Sequence, residues 1–221
     1  MKLLTENHFP IELACSKIIC IGRNYREHAH ELSNPIPKSP LLFLKPTSSL
    51  INIDKEIALP FHLGEIHHEI ELAFLFKESI AMGEEITNEV IHQSIYGVAL
   101  ALDLTLRKKQ QELKEKGSPW EKAKAFDRSC PIGPFVCKSK IKDLNDLNFS
   151  LKINGHLKQQ GNIKETIFNL TDIVKEITTY MTINAGDIIL TGTPSGVGPL
   201  AKDDKLTLNF ESFYELNSML K

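Results

Sequence analysis

The chain reads as an α+β protein rich in strands, and three observations lead there. Short apolar runs recur along it, each bounded by Gly, Pro, Asn or Ser. Few stretches carry helical signals. Asn154-Gly155, between the apolar Leu151–Ile153 and Leu157, marks a tight hairpin, because both residues tolerate positive φ. Many short strands with a few helices define a mixed, β-rich class.

The elements follow in order. Ser16–Ile21 is a short apolar strand ending at Gly22. Asn24–Leu32 is a short helix that Ser33, Asn34, Pro35, Pro37 and Pro40 forbid from continuing. Leu41–Leu44 is a strand stopped by Lys45-Pro46, and His67–Phe76 is a strand carrying two acids. Thr87–Val90 opens a helix that runs into the apolar Tyr96–Leu102. Lys108–Lys116 is a charged helix stopped by Gly117, Ser118 and Pro119. Ile132–Cys137, Phe149–Ile153 and Asp187–Leu190 are strands, and one further helix starts near Leu170 with Thr171 as its N-cap. No repeat, low-complexity tract or Gly/Ser linker divides the chain, so 1–221 is read as one domain with 1–17 as an N-terminal extension.

The 221 residues are enough to bury a sizeable core. The formal net charge of −2 excludes the basic surface that nucleic acid or anionic membrane demands. No apolar run approaches the length of a membrane span. In MKLLTENHFP, Thr5, Glu6 and Asn7 interrupt any signal-like apolar stretch, and no Arg precedes Arg23, so a cytoplasmic location is expected. Cys15, Cys20, Cys130 and Cys137 form no C-x-x-C pair and read as reduced thiols.

Glu69 and Glu71 stand two apart in HHEIELAFLF, so on a strand their carboxylates project from one face. An apolar strand has strong reason to exclude unpaired acids, and two like charges raise the cost unless a cation sits between them. Asp103 ends the apolar run from Tyr96 to Leu102 and supplies a third carboxylate. Three acids suit a hard, oxygen-loving ion such as Mg2+ or Mn2+ rather than zinc, and leave coordination positions for water and substrate. The same spacing also fits acids on a solvated strand face. His28 and Glu31, three apart, share one helix face, where the carboxylate would fix the imidazole tautomer and sharpen its basicity. Such pairs are equally common on exposed helices. Thr191–Gly198 lacks the ending of a phosphate loop and the spacing of a serine-hydrolase elbow.

Taken together, HHEIELAFLF, Asp103 to Gln110, Lys116 to Asp127 and Gly186 to Pro194 resemble the fumarylacetoacetate hydrolase family. The segment Gly22-Arg-Asn-Tyr-Arg-Glu-His28-Ala-His-Glu31 is similar to its short acylpyruvase and oxaloacetate decarboxylase branch. The likeness runs in matching order from about Ile18 to Gly198. It implies mixed β-sheets rolled into a sandwich or barrel-like core with peripheral helices, usually as a homodimer. It also implies a metal on Glu69, Glu71 and Asp103, and a His28–Glu31 base on a lid segment over 24–40. Lys124 would act as a third catalytic group, with Arg23, Tyr25, Arg107, Gln110 and Thr193 as substrate contacts. Leu102 and Leu106 depart from the usual Asn and Ala.

The implied activity is metal-dependent cleavage of a carbon–carbon bond in a small acylpyruvate to give pyruvate, together with oxaloacetate decarboxylation. Oxaloacetate keto–enol tautomerisation or isomerisation of a 2-hydroxy-dienoate shares the same platform. A metal-binding protein of this fold without catalysis is the alternative from another class.

Overall fold

The computed structural model describes residues 1–32 and 35–221. Ser33 and Asn34, read as part of the helix stop and of the lid segment, lie outside the described residues. Two mixed β-sheets and a small antiparallel one carry the fold, and the largest curls into a half-barrel. Its strands run in the order Leu41–Lys45, Ile18–Gly22, Ile188–Leu190, Ile70–Phe76, Ile95–Leu102, Cys130–Ile132 and Leu50–Asn52, with Val136–Cys137 also paired to Ile95–Leu102. The second sheet joins His156–Asn162, Asn148–Ile153, Lys205–Phe210, Tyr214–Leu220 and Glu56–Ile57. The third is small: Gly198–Pro199, Ile66–His68 and Thr105–Leu106.

The two faces of the large sheet differ in residue size. Leu72, Phe74 and Phe76 point one way and pack with Phe149, Leu151, Leu208 and Phe210 of the second sheet. Ala73 and Leu75 point the other way, among Cys20, Ala99, Ala101, Cys130, Ile188 and Leu190. Both faces are buried, which is why Phe74-Leu75-Phe76 shows no polar alternation. Glu71 continues the row of Ala73 and Leu75, and Asp103 continues that of Ala99 and Ala101. Glu71 and Asp103 therefore lie on the face lined by the smaller residues. Leu3, Ile11 and Phe135 join that cluster, so residues 1–17 help close it.

Several expected elements change. His67–Phe76 is two strands, Ile66–His68 and Ile70–Phe76, in different sheets and broken at Glu69. The break is held from outside, since Gln159 Oε1 accepts the Ile70 N–H at 3.0 Å. Ile132–Cys137 divides into Cys130–Ile132 and Val136–Cys137, because Gly133 and Phe135 turn their N–H groups to Leu100 O and Leu4 O. The Asn24–Leu32 helix contracts to Arg26–Glu31, as Asn24 bonds the 167–168 backbone and Thr191 instead. Asn169, not Thr171, caps the Leu170–Tyr180 helix: its side chain accepts from Asp172 N at 3.0 Å while Asp172 accepts from Asn169 N at 3.2 Å. Asn154 (φ 53°) and Gly155 (φ 80°) form the expected turn. Among the described residues no helix is long and apolar enough to cross a membrane.

Candidate active site

The strand break at Glu69 brings three acids together. Asp103, just past the Ile95–Leu102 strand, donates its N–H to Glu69 O at 2.8 Å, and Glu71 lies across from Ala101. One carboxylate oxygen from each of Glu69, Glu71 and Asp103 lies within 4.8 Å of the others. All three residues are at most 4% exposed, so they are not acids on a solvated face.

Three cations reach into the same space. Lys124 Nζ donates to Glu69 Oε2 at 2.8 Å and to Asp103 Oδ2, and Arg107 donates to Glu69 Oε1. Lys45, which sequence reasoning treated as a strand stop, is completely buried. Its Nζ lies 2.8 Å from Asp103 Oδ1. It also donates to Ser129 O (3.1 Å), Ser129 Oγ (3.0 Å) and Lys124 O.

The acids are unequally compensated. Burial, then the charges of Asp103 and Glu69, push the Glu71 carboxyl well above the usual range, against Lys124 and one N–H from Gly192 at 2.7 Å. Burial also opposes the Glu69 charge, but Lys124 and Arg107 hold that carboxyl well below the usual range. An under-compensated buried carboxylate and all-oxygen donors fit a hard divalent ion held by Glu69, Glu71 and Asp103. Gly192 is required where it stands: at φ +97°, an added Cβ would lie 2.7 Å from Asn24 Cβ.

Opposite the acids, His28 is 5% exposed and its Nδ1 lies 3.2 Å from Glu31 Oε2. Glu31 Oε1 accepts the Gly196 N–H at 3.0 Å, which ties the short helix to the Thr191–Gly198 loop. Burial lowers the imidazole pKa below 6.5, opposed by the charges of Glu69 and Glu31. His28, Arg23, Arg107, Gln110, Lys124 and Thr193 line one cavity with the acids. Gln110 accepts from Arg107 at 2.7 Å and so orients its guanidinium. Thr193 Oγ1 donates to Ile70 O and accepts from Gln159, each at 2.8 Å. Tyr25 is placed apart from these: its hydroxyl donates to Asn162 O, and it lines a neighbouring cleft with Arg26, Glu27 and Ser195.

Three further residues enter the site without having been singled out from sequence. Gln159 is 1% exposed and uses both ends of its amide. Besides Ile70 N its Oε1 meets His68 Nδ1 at 2.9 Å, while its Nε2 donates to Thr193 Oγ1 and Pro194 O. It thus fixes the Glu69 break against the loop that carries Gly192. Lys45 gave the same signal as Asp103, a charge at the end of an apolar run. Lys114 lines the cavity beside Trp120, its Nζ 5.5 Å from the ring centroid.

Residues 17–219 match the family model for the fumarylacetoacetate hydrolase C-terminal domain. Oxaloacetate tautomerase YcgM of Escherichia coli K12 is 39% identical over 202 residues, covering 91% of either chain. A mitochondrial oxaloacetate decarboxylase of Dictyostelium discoideum is 43% identical over 185 residues, 83% of this chain and 84% of that one. The crystal structure of a Pseudomonas aeruginosa fumarylpyruvate hydrolase in complex with Mn2+ and pyruvate superposes with a TM-score of 0.88 at 30% identity, covering 100% of this chain and 95% of that one.

Proposed function

This chain belongs to the fumarylacetoacetate hydrolase family, and we propose that it is a divalent-metal enzyme interconverting the keto and enol forms of oxaloacetate. The observation that carries the reading is the convergence of three buried acids, facing a buried His28–Glu31 pair across one cavity. The tautomerase relative supports oxaloacetate over the acylpyruvate cleavage that the motifs alone put first. The Mn2+ in the fumarylpyruvate hydrolase complex supports a divalent ion here, with Mg2+ or Mn2+ as candidates.

Glu69, Glu71 and Asp103 would hold the ion, which supplies Lewis-acid polarisation of a 2-oxo group when bound. Glu31 occupies His28 Nδ1, leaving Nε2 as the nitrogen that takes the proton from C3 while the 2-oxo oxygen gains one to complete the enol, the reverse regenerating the ketone. Because burial lowers its pKa, His28 is neutral at pH 7, as a base must be. Glu31 then balances the imidazolium that forms. Lys124, fixed at Glu69 and Asp103, places positive charge where negative charge develops on the 2-oxo oxygen. Gln110 keeps Arg107 aligned for a substrate carboxylate.

Decarboxylation is the second reading, favoured by the Dictyostelium relative. It generates the same charge on the 2-oxo oxygen and needs no base at C3. One assay set separates the candidates. Purified protein with Mg2+ or Mn2+ is given oxaloacetate, following enol absorbance and carbon dioxide, and separately acetylpyruvate, following pyruvate. Tautomerisation should dominate and vanish in Asp103→Ala. Pyruvate from acetylpyruvate with inert oxaloacetate would return the assignment to a hydrolase. Metal binding without any turnover would leave a non-catalytic binder.

A further inference from the structure

The cations in and behind the cavity fall into two sets. Arg107, Lys124 and Lys45 each contact Glu69 or Asp103. Arg23 and Lys114 line the same cavity, yet among the described residues neither has a carboxylate within 4.0 Å. Arg23 Nε is buried and makes no hydrogen bond. Its backbone stands at φ 59°, a region uncommon for a non-glycine residue. Lys114 rests over Trp120, which orients a cation without neutralising it. Burial, then the charges of Arg23 and Arg107, bring its ammonium down to about 8, against a weaker pull from Glu69. Cations that crowd one another at the edge of a cavity, with unspent donors, make a place for an anion.

We propose that Lys114, together with Arg23, binds the second carboxylate of a dicarboxylic 2-oxo acid and so makes this pocket selective for dianions over monoanions. This rests on the reading of the site as acting on a small 2-oxo acid. The first carboxylate and the 2-oxo group belong at the acid trio with Arg107. The second, carried further along the substrate, meets the unpaired cations. A monocarboxylic 2-oxo acid leaves them unpaired and forfeits a charge-assisted contact.

The test uses Mn2+-loaded protein as wild type, Lys114→Gln and Lys114→Arg. The readouts are kcat/KM for oxaloacetate and for 2-oxobutyrate, the latter by deuterium exchange at C3. The preference for the dianion should fall about 10- to 100-fold in Lys114→Gln, the size of one charge-assisted hydrogen bond. It should recover within about threefold in Lys114→Arg, where charge is kept. An unchanged preference in Lys114→Gln overturns the proposal. Calorimetry with malonate and acetate, which do not react, separates the two layers of inference. Malonate binding that depends on Lys114, in a protein that turns over no 2-oxo acid, upholds the anion site and removes the enzymatic reading. Turnover of oxaloacetate with malonate binding indifferent to Lys114 does the reverse.

Discussion

Glu69, Glu71 and Asp103 are carried by or beside paired strands, whereas His28 sits on the six-residue Arg26–Glu31 helix, which has no side-chain N-cap bond. The acids are pinned by backbone ladders, by buried lysines and by Gln159. The base is pinned mainly at its ends: Asn24 anchors the chain before the helix, and Glu31–Gly196 (3.0 Å) and Glu27–Ser195 (3.4 Å) latch it to the opposite loop. Ion-binding geometry is therefore set by folding itself, while the placement of the base depends on a few exposed hydrogen bonds that can open and re-form.

That contrast can be broken by mutation, most severely on the sheet side. Asp103→Ala should abolish metal-dependent turnover by at least about 10³-fold, the worth of several kcal/mol of Lewis-acid stabilisation. It should also destabilise the fold by about 3–5 kcal/mol, because Lys45 and Lys124 are left buried beside a missing partner. Urea unfolding and kcat check both effects, and a variant with native stability would show that the acids are not built into the fold. His28→Ala should lower kcat about 10²- to 10⁴-fold. Calorimetric Mn2+ affinity should stay near wild type, since His28 belongs to the other region.

Gln159→Ala sharpens the comparison from the supporting layer. It should weaken Mn2+ binding about 10- to 100-fold, as the loss of a residue that orients ligands does. An unaltered Mn2+ affinity would mean that the strand break at Glu69 holds without it. The smallest effect should come from Glu31→Gln. Activity requires neutral His28, and burial lowers its pKa from the ordinary imidazole value, so the wild-type rate holds at neutral pH and falls only as pH drops through the lowered pKa. Glu31 opposes the downward shift, so its neutralisation should move the acid limb of the pH–rate profile to lower pH. At neutral pH kcat should drop about tenfold, for one charge-assisted hydrogen bond lost. A limb that moves to higher pH would contradict the assigned environment of His28.

The acids were legible because charge in an apolar run is conspicuous, and the hairpin because Asn154-Gly155 leaves the backbone little choice. The break at Glu69 was not legible, since nothing within HHEIELAFLF interrupts extended backbone. Its cause, Gln159, lies 90 positions away on an outwardly polar strand, His156–Asn162, where a glutamine draws no notice. Lys45 was hidden by the proline after it, which offered a simpler reason for the strand to end. Asn169 lost to Thr171 as the expected cap because two acceptable residues stand two apart and only the Asp172 bond separates them. Local preference located the segments. Long-range hydrogen bonds decided where they break and what they carry.

The Ile188–Leu190 strand has a consequence for how the protein comes into being. It lies between Ile18–Gly22, which it pairs in parallel, and Ile70–Phe76, so the two N-terminal parts of the large sheet join only through it. Both pairings span more than a hundred residues, the kind of closure that slows folding. Gly192, whose N–H meets Glu71, arrives on the same stretch of chain. During synthesis the pocket thus stays incomplete until Ile188–Leu190 and Gly192 have emerged and paired. In refolding experiments, high-affinity Mn2+ uptake should appear with the slowest phase, as the last event rather than as the seed of the fold.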